Sequence, residues 1–115
     1  MNGEPLSLTS RERAVLAEIA DILIPRHGGM PSASDVGLCE GPIDRALAAR
    51  PELLDPVRDL VARAHGRHGQ DVVREIEKDD QAVLLAALQL IAGAYYMLPE
   101  VRRLLGYSGQ MRKAP

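Results

Sequence analysis

Residues 82–98 read AVLLAALQLIAGAYYML, and Gln89 is their only strongly polar side chain. A helix that is apolar on nearly every face needs cover on nearly every face. A chain of 115 residues has little material to provide it. The segment must therefore be the centre of a small bundle, or leave part of its surface to another protein. It is slightly short for a bilayer span, rich in Ala, and interrupted by Gln89 and Gly93. It reads as a buried helix, and no direct membrane span is expected.

The length fits one domain over residues 1–115. Such a domain hides roughly two-thirds of its unfolded surface. With three Tyr, no Phe and no Trp, core volume must come from Leu, Ile, Val and Ala, which suits helix packing. A formal charge of −2 gives no general attraction to nucleic acid or anionic lipid. The charge is uneven, however. Residues 1–98 carry 10 Lys/Arg against 15 Asp/Glu, a balance of −5, whereas residues 99–115 balance at +3. A basic tail on an acidic body has the character of a docking tail.

Helix signals run through the chain. Thr9 and Glu12 have capping-box spacing, and Leu16, Ile19, Ala20 and Leu23 form one stripe ending at Pro25. Residues 26–41 are irregular and rich in Gly, Ser and Pro, with room for one short turn from Ser34. Loops of this length are often functional or mobile. Gly41-Pro42 opens a second helix with apolar Ile43, Ala46 and Leu47, which ends before Pro51. A third spans about 52–65, with Leu53, Val57, Leu60, Val61 and Ala64 on one face and an Asp59–Arg63 pair on the other. Pro56 sits in its first turn with Asp55 as cap, or kinks it. Gly66 and Gly69 break it. A fourth helix covers about 70–78, with Val72, Val73 and Ile76 inward. Asp79 or Asp80 caps the fifth, which runs to about Leu98. Pro99 opens a last short helix, with Val101, Leu104 and Leu105 pointing one way and Gly106 as its stop. No stretch has strand periodicity. The fold class is all-α: a small bundle of about five main helices plus a short C-terminal helix and tail, with the first, third and fifth helices forming the core.

Little of this chain reads as chemistry. His65, His68 and Asp71 have near-metal spacing, but glycines interrupt it, and a helix end explains the histidines. Capping explains Asp79-Asp80. Cys39 with His27 lacks a fixed geometry for a nucleophile, and a buried apolar Cys is the simpler reading. Gly28-Gly29 and Gly106-x-x-Gly109 follow no strand and match no phosphate loop. No Cys-x-x-Cys-His is present for covalent haem. Tyr95, Tyr96 and Tyr107 all lie near the carboxyl end, where Tyr can anchor an interface because it buries area and keeps a polar tip.

Three blocks carry a family likeness. The first is Leu8-Thr9-Ser10-Arg11-Glu12-Arg13, then Leu16 and Ala20-Asp21-Ile22-Leu23-Ile24-Pro25. The second is the Gly/Ser/Pro loop leading to Gly41-Pro42-Ile43-Asp44-Arg45-Ala46-Leu47. The third is Gly93-Ala94-Tyr95-Tyr96, Pro99-Glu100-Val101-Arg102 and Leu105-Gly106-Tyr107-Ser108-Gly109. In order and spacing they resemble the gluconate 2-dehydrogenase subunit 3 family across nearly the whole chain. Ser108 stands where Pro is common in that family.

The resemblance implies a non-catalytic small subunit with no cofactor of its own. Its partner would be a large flavin-dependent oxidoreductase subunit of the glucose-methanol-choline type, holding FAD and oxidising a sugar, sugar acid or other alcohol. The small chain would support that partner's folding, stability or export. Docking is expected through Tyr95, Tyr96, Leu98, Pro99, Arg102, Arg103 and Tyr107, with part of the fifth helix and the loop over 26–40. The other reading is a stand-alone helical adaptor that self-associates through the fifth helix. Many relatives carry a twin-arginine leader. None is visible here, so the chain as written reads as cytoplasmic, and as periplasmic if a leader was removed or the complex is co-exported.

Overall fold

The computed structural model describes residues 8–106. Six α-helices follow one another: α1 Ser10–Leu23, α2 Gly41–Ala49, α3 Leu54–Ala64, α4 Gly69–Asp79, α5 Gln81–Tyr96 and α6 Pro99–Leu104. Single 3-10 turns sit at Ser34–Val36 and Pro51–Leu53. No β-strand forms among the described residues. The all-α expectation holds, with one adjustment to the core. α5 packs on α2, α3 and α4, while α1 closes the other side of α3 and α4. One continuous apolar core joins Leu16 and Ile19 of α1, Ile43 of α2, Leu60 of α3, Ile76 of α4 and Leu90 and Ile91 of α5.

Local chemistry sets the helix starts. The Thr9 hydroxyl accepts the Glu12 amide at 3.1 Å, and the Glu12 carboxylate accepts the Thr9 amide at 2.8 Å. This capping box satisfies two orphan donors at once. Glu12 also receives the Arg58 guanidinium at 3.0 and 3.2 Å, which ties α1 to α3. Arg13 spans the opposite gap. It donates to the carbonyls of Leu8, Cys39 and Glu40 and to the Asp44 carboxylate at 2.8 Å. One fixed fork thus holds α1 on the start of α2.

Three starts depart from expectation. Asp55 is the second residue of α3, and the cap position belongs to Leu53, with no side-chain bond. Pro56 comes third, where its missing N–H would have no helical partner anyway. Asp80 holds the cap position of α5, but its carboxylate accepts from Arg63 at 3.0 Å. Its backbone carbonyl alone starts the helix, through Val83 and Leu84. α4 is capped from outside. The Gly69 amide donates to Glu18 of α1 at 3.0 Å. A Cβ at Gly69 would lie 3.0 Å from Ile22 Cδ1 and 3.2 Å from that carboxylate, so this glycine permits a close helix approach. Val73 is only half-buried, beside buried Val72 and Ile76.

Residues 26–40 are built into the fold. His27 and Met30 exchange backbone hydrogen bonds of 3.1 and 2.9 Å across Gly28 and Gly29. Those glycines have φ of 57° and 84°, the positive values that a tight two-residue turn requires. Asp35 receives Arg26 through two bonds and the Ser32 amide through a third. Asp21 of α1 accepts both the amide and the hydroxyl of Ser34. Ala33, Leu38 and Cys39 are buried beneath.

These paired carboxylates make stability acid-sensitive. At Glu12, burial raises the carboxyl pKa, but the Thr9 amide and Arg58 outweigh it and hold the group below its ordinary value. A depressed folded pKa contributes stability that is full above the unfolded value and is lost as pH falls through the folded one. Parent stability should therefore hold from neutral pH down to the ordinary carboxylate range and decline below it, and Glu12→Gln should remove part of that slope. Urea unfolding across the range checks it. A Glu12→Gln variant with the parent's slope would contradict the assignment.

Candidate docking surface

α5 is the centre of the bundle, yet it is not fully covered. From Gln81 to Pro99 the chain carries no charge. Val83, Ala87, Leu90, Ile91 and Ala94 face the core, while Leu85, Leu88 and Tyr96 stand outside at helical spacing, with half-buried Ala92 between them. Leu85 is 54% exposed, Tyr96 48% and Met97 69%. Leu104 at the end of α6 and Leu105 just after it are exposed as well. Scattered apolar residues are ordinary on a surface; these share one uncharged face of α5, which makes it the candidate docking surface.

The two neighbouring tyrosines have opposite fates. Tyr95 is 1% exposed, and its hydroxyl donates to the Pro31 carbonyl at 2.6 Å. Burial pushes its phenol above the ordinary value, so it stays a donor. It therefore leaves the docking set and instead pins the 26–40 loop to α5. Tyr96 is exposed and meets Tyr95 edge-on, with ring centroids 5.1 Å apart and planes at 89°. One flank of its ring is held by the core, and the rest is open.

Of the remaining expected docking residues, Leu98 is half-buried against the core, and Pro99, Arg102 and Arg103 are exposed. Tyr107 lies outside the described residues, as do Arg112 and Lys113. Val101 is buried, whereas Leu104 and Leu105 remain exposed, so the core covers only the first of these three apolar residues. The expected docking set took in part of the fifth helix without singling out Leu85, Leu88 or Met97. The 85, 88, 92, 96 spacing marks the first two, and Met97 follows at the end of α5.

Beside this strip, α2 and the end of α5 enclose an open groove of about 560 Å³. Its walls include Leu53, Leu90, Met97 and Leu98, with Ala46 and Gly93 among the residues between them. Arg45 and Arg50 line it too.

The residues with catalytic character are occupied elsewhere or apart. Burial pushes the Cys39 thiol up to about 12, which disfavours the thiolate a nucleophile needs. His65 ends α3 and His68 precedes α4, both exposed and separated by Gly66 at φ 75°. Among the described residues no group of three or more His, Cys, Asp or Glu side chains could hold a metal. No helix among them is long and apolar enough to cross a membrane.

The outward strip sets an expectation for the isolated chain. It should self-associate as concentration rises, because pairing two strips removes both from water. Leu85→Gln with Leu88→Gln should suppress this without loss of helix content. Light scattering showing a monomer over the whole soluble range of the parent would contradict it.

The family model described as gluconate 2-dehydrogenase subunit 3 matches residues 10–103. No curated protein and no solved structure matches the chain.

Proposed function

The chain belongs to the gluconate 2-dehydrogenase subunit 3 family, and from that premise we propose that it is the non-catalytic small subunit of an FAD-dependent oxidoreductase. The partner is a large chain of the glucose-methanol-choline type acting on a sugar, sugar acid or other alcohol. FAD resides in that chain, and this one carries no cofactor. The family description supports membership of a dehydrogenase complex. The observation that carries the docking role is the uncharged outer face of α5, where Leu85, Leu88, Tyr96 and Met97 are exposed together.

The small subunit acts by packing. Its strip covers an apolar patch on the large chain that would otherwise drive aggregation during folding, so binding stabilises or matures the large subunit by mass action. Arg102 and Arg103 on α6 border the strip and favour an acidic margin on the partner.

Co-expression with a large flavin oxidoreductase encoded beside it is the test. The expected result is a yellow complex containing both chains, a colourless small subunit when purified alone, and a large subunit that is less soluble without it. Two chains that purify separately, with the large one equally active and soluble on its own, would reject the proposal. A self-associating adaptor is the second reading, favoured by the same strip. It is supported instead if the large chain leaves the self-association of this one unchanged.

A further inference from the structure

We propose that the groove between α2 and α5 receives a carboxylate-bearing apolar segment of the large subunit, as a second contact beside the α5 strip. This rests on the pairing proposed above and names the chemistry of the segment that fills this part of the interface.

The groove is apolar in its walls and cationic at its edge. Leu53, Leu90 and Leu98 offer surface to apolar side chains, and Gly93 leaves open space where a side chain would stand, since a Cβ at that position would meet no atom within 4 Å. Arg45 is exposed and has no carboxylate partner among the described residues. Arg50 bonds only its near neighbour Glu52, an exposed pair of little worth and easily exchanged. The other arginines that tie the helices together, Arg13, Arg58 and Arg63, are each spent on a carboxylate. Arg45 is thus a planar, permanently charged fork at the mouth of an apolar trough, which suits an Asp or Glu on the incoming segment.

Charge and continuity select the occupant. Arg112 and Lys113 give the carboxyl tail of this chain the same sign as the groove edge. An amphipathic helix or extended segment laid into such a groove takes affinity from its apolar anchors and register from its acidic residue. The groove also shares Gln89, Gly93 and Met97 with the outer side or end of α5, so one partner surface can cover strip and groove together.

The complex with the large subunit provides the test. Arg45→Glu should weaken binding by about tenfold or more and flatten its dependence on salt. Gly93→Leu fills the groove from a helical position with open space, and should weaken binding by a similar factor of about ten. A benzophenone amino acid in place of Ala49, which also lines the groove, should crosslink to a large-subunit peptide containing Asp or Glu among apolar residues. The groove assignment is overturned if both variants bind like the parent. It is also overturned if the crosslinked peptide has no acidic residue, or if the crosslink joins two copies of this chain. Failure of the parent chain to bind the large subunit at all is a different result, and removes the proposed function itself.

Discussion

Tyr95→Ala is expected to cost the isolated chain about 3–5 kcal/mol of stability, the range for deleting a buried aromatic ring. Tyr95 is the largest fully buried side chain among the described residues. Its loss would open a cavity where α5 meets the 26–40 loop, because its hydroxyl holds the Pro31 carbonyl. A small domain has only about 5–15 kcal/mol to lose. Tyr95→Phe keeps the ring and removes one hydrogen bond, so it should cost nearer 1 kcal/mol. Denaturant unfolding of both variants gives the comparison. The loop adds a second readout. Ala33 donates its amide to Ile24 and Leu38 to Ala33, and these amides should exchange faster in Tyr95→Ala even where the helices remain protected. If Tyr95→Ala unfolds like the parent, the ring does not support the core.

The contrast between Tyr95 and Tyr96 also shows what the sequence can carry. Elements with a local cause were legible. The Thr9–Glu12 box, the stop at Pro25, the Gly41-Pro42 start and the Asp59–Arg63 pair each depend on residues a few positions apart, and each appears. Devices that join distant residues were not. Glu18 caps α4 from fifty-one positions away, Arg63 draws the Asp80 carboxylate off the end of α5, and Asp21 and Tyr95 hold a loop that composition alone marks as irregular. α5 is the extreme case. On a helix with almost no polar side chains, periodicity cannot say which face looks outward. Its orientation follows from α2, α3 and α4, whose own apolar stripes are well defined and which cover it on one side. The outward strip is the remainder. α6 shows the same limit: its short helix forms as its residues suggest, but only Val101 finds cover, while Leu104 and Leu105 stay exposed.

That remainder makes the sharpest functional expectation. If the proposed large subunit docks on this strip, Tyr96→Ala should weaken that complex by roughly thirtyfold, about 2 kcal/mol, as truncating an aromatic anchor does. Its cost to the isolated chain should be small, on the order of 1 kcal/mol, because the edge-on contact with Tyr95 is what it gives up. Leu88→Asp should be more severe for binding. Leu88 sits in the middle of the strip, and a carboxylate there would be buried without a partner when the interface closes, at several kcal/mol. In the isolated chain the same carboxylate is solvated, so folding should survive and self-association should fall. His65→Ala and His68→Ala, at an exposed turn between α3 and α4, should leave partner binding and activity at parental levels. The pattern matters more than any one value. Strong loss of binding in Tyr96→Ala and Leu88→Asp with near-parental stability identifies α5 as the docking helix. Parental binding in both would place the partner elsewhere on the molecule, and loss of folding in Tyr96→Ala would make that ring part of the core.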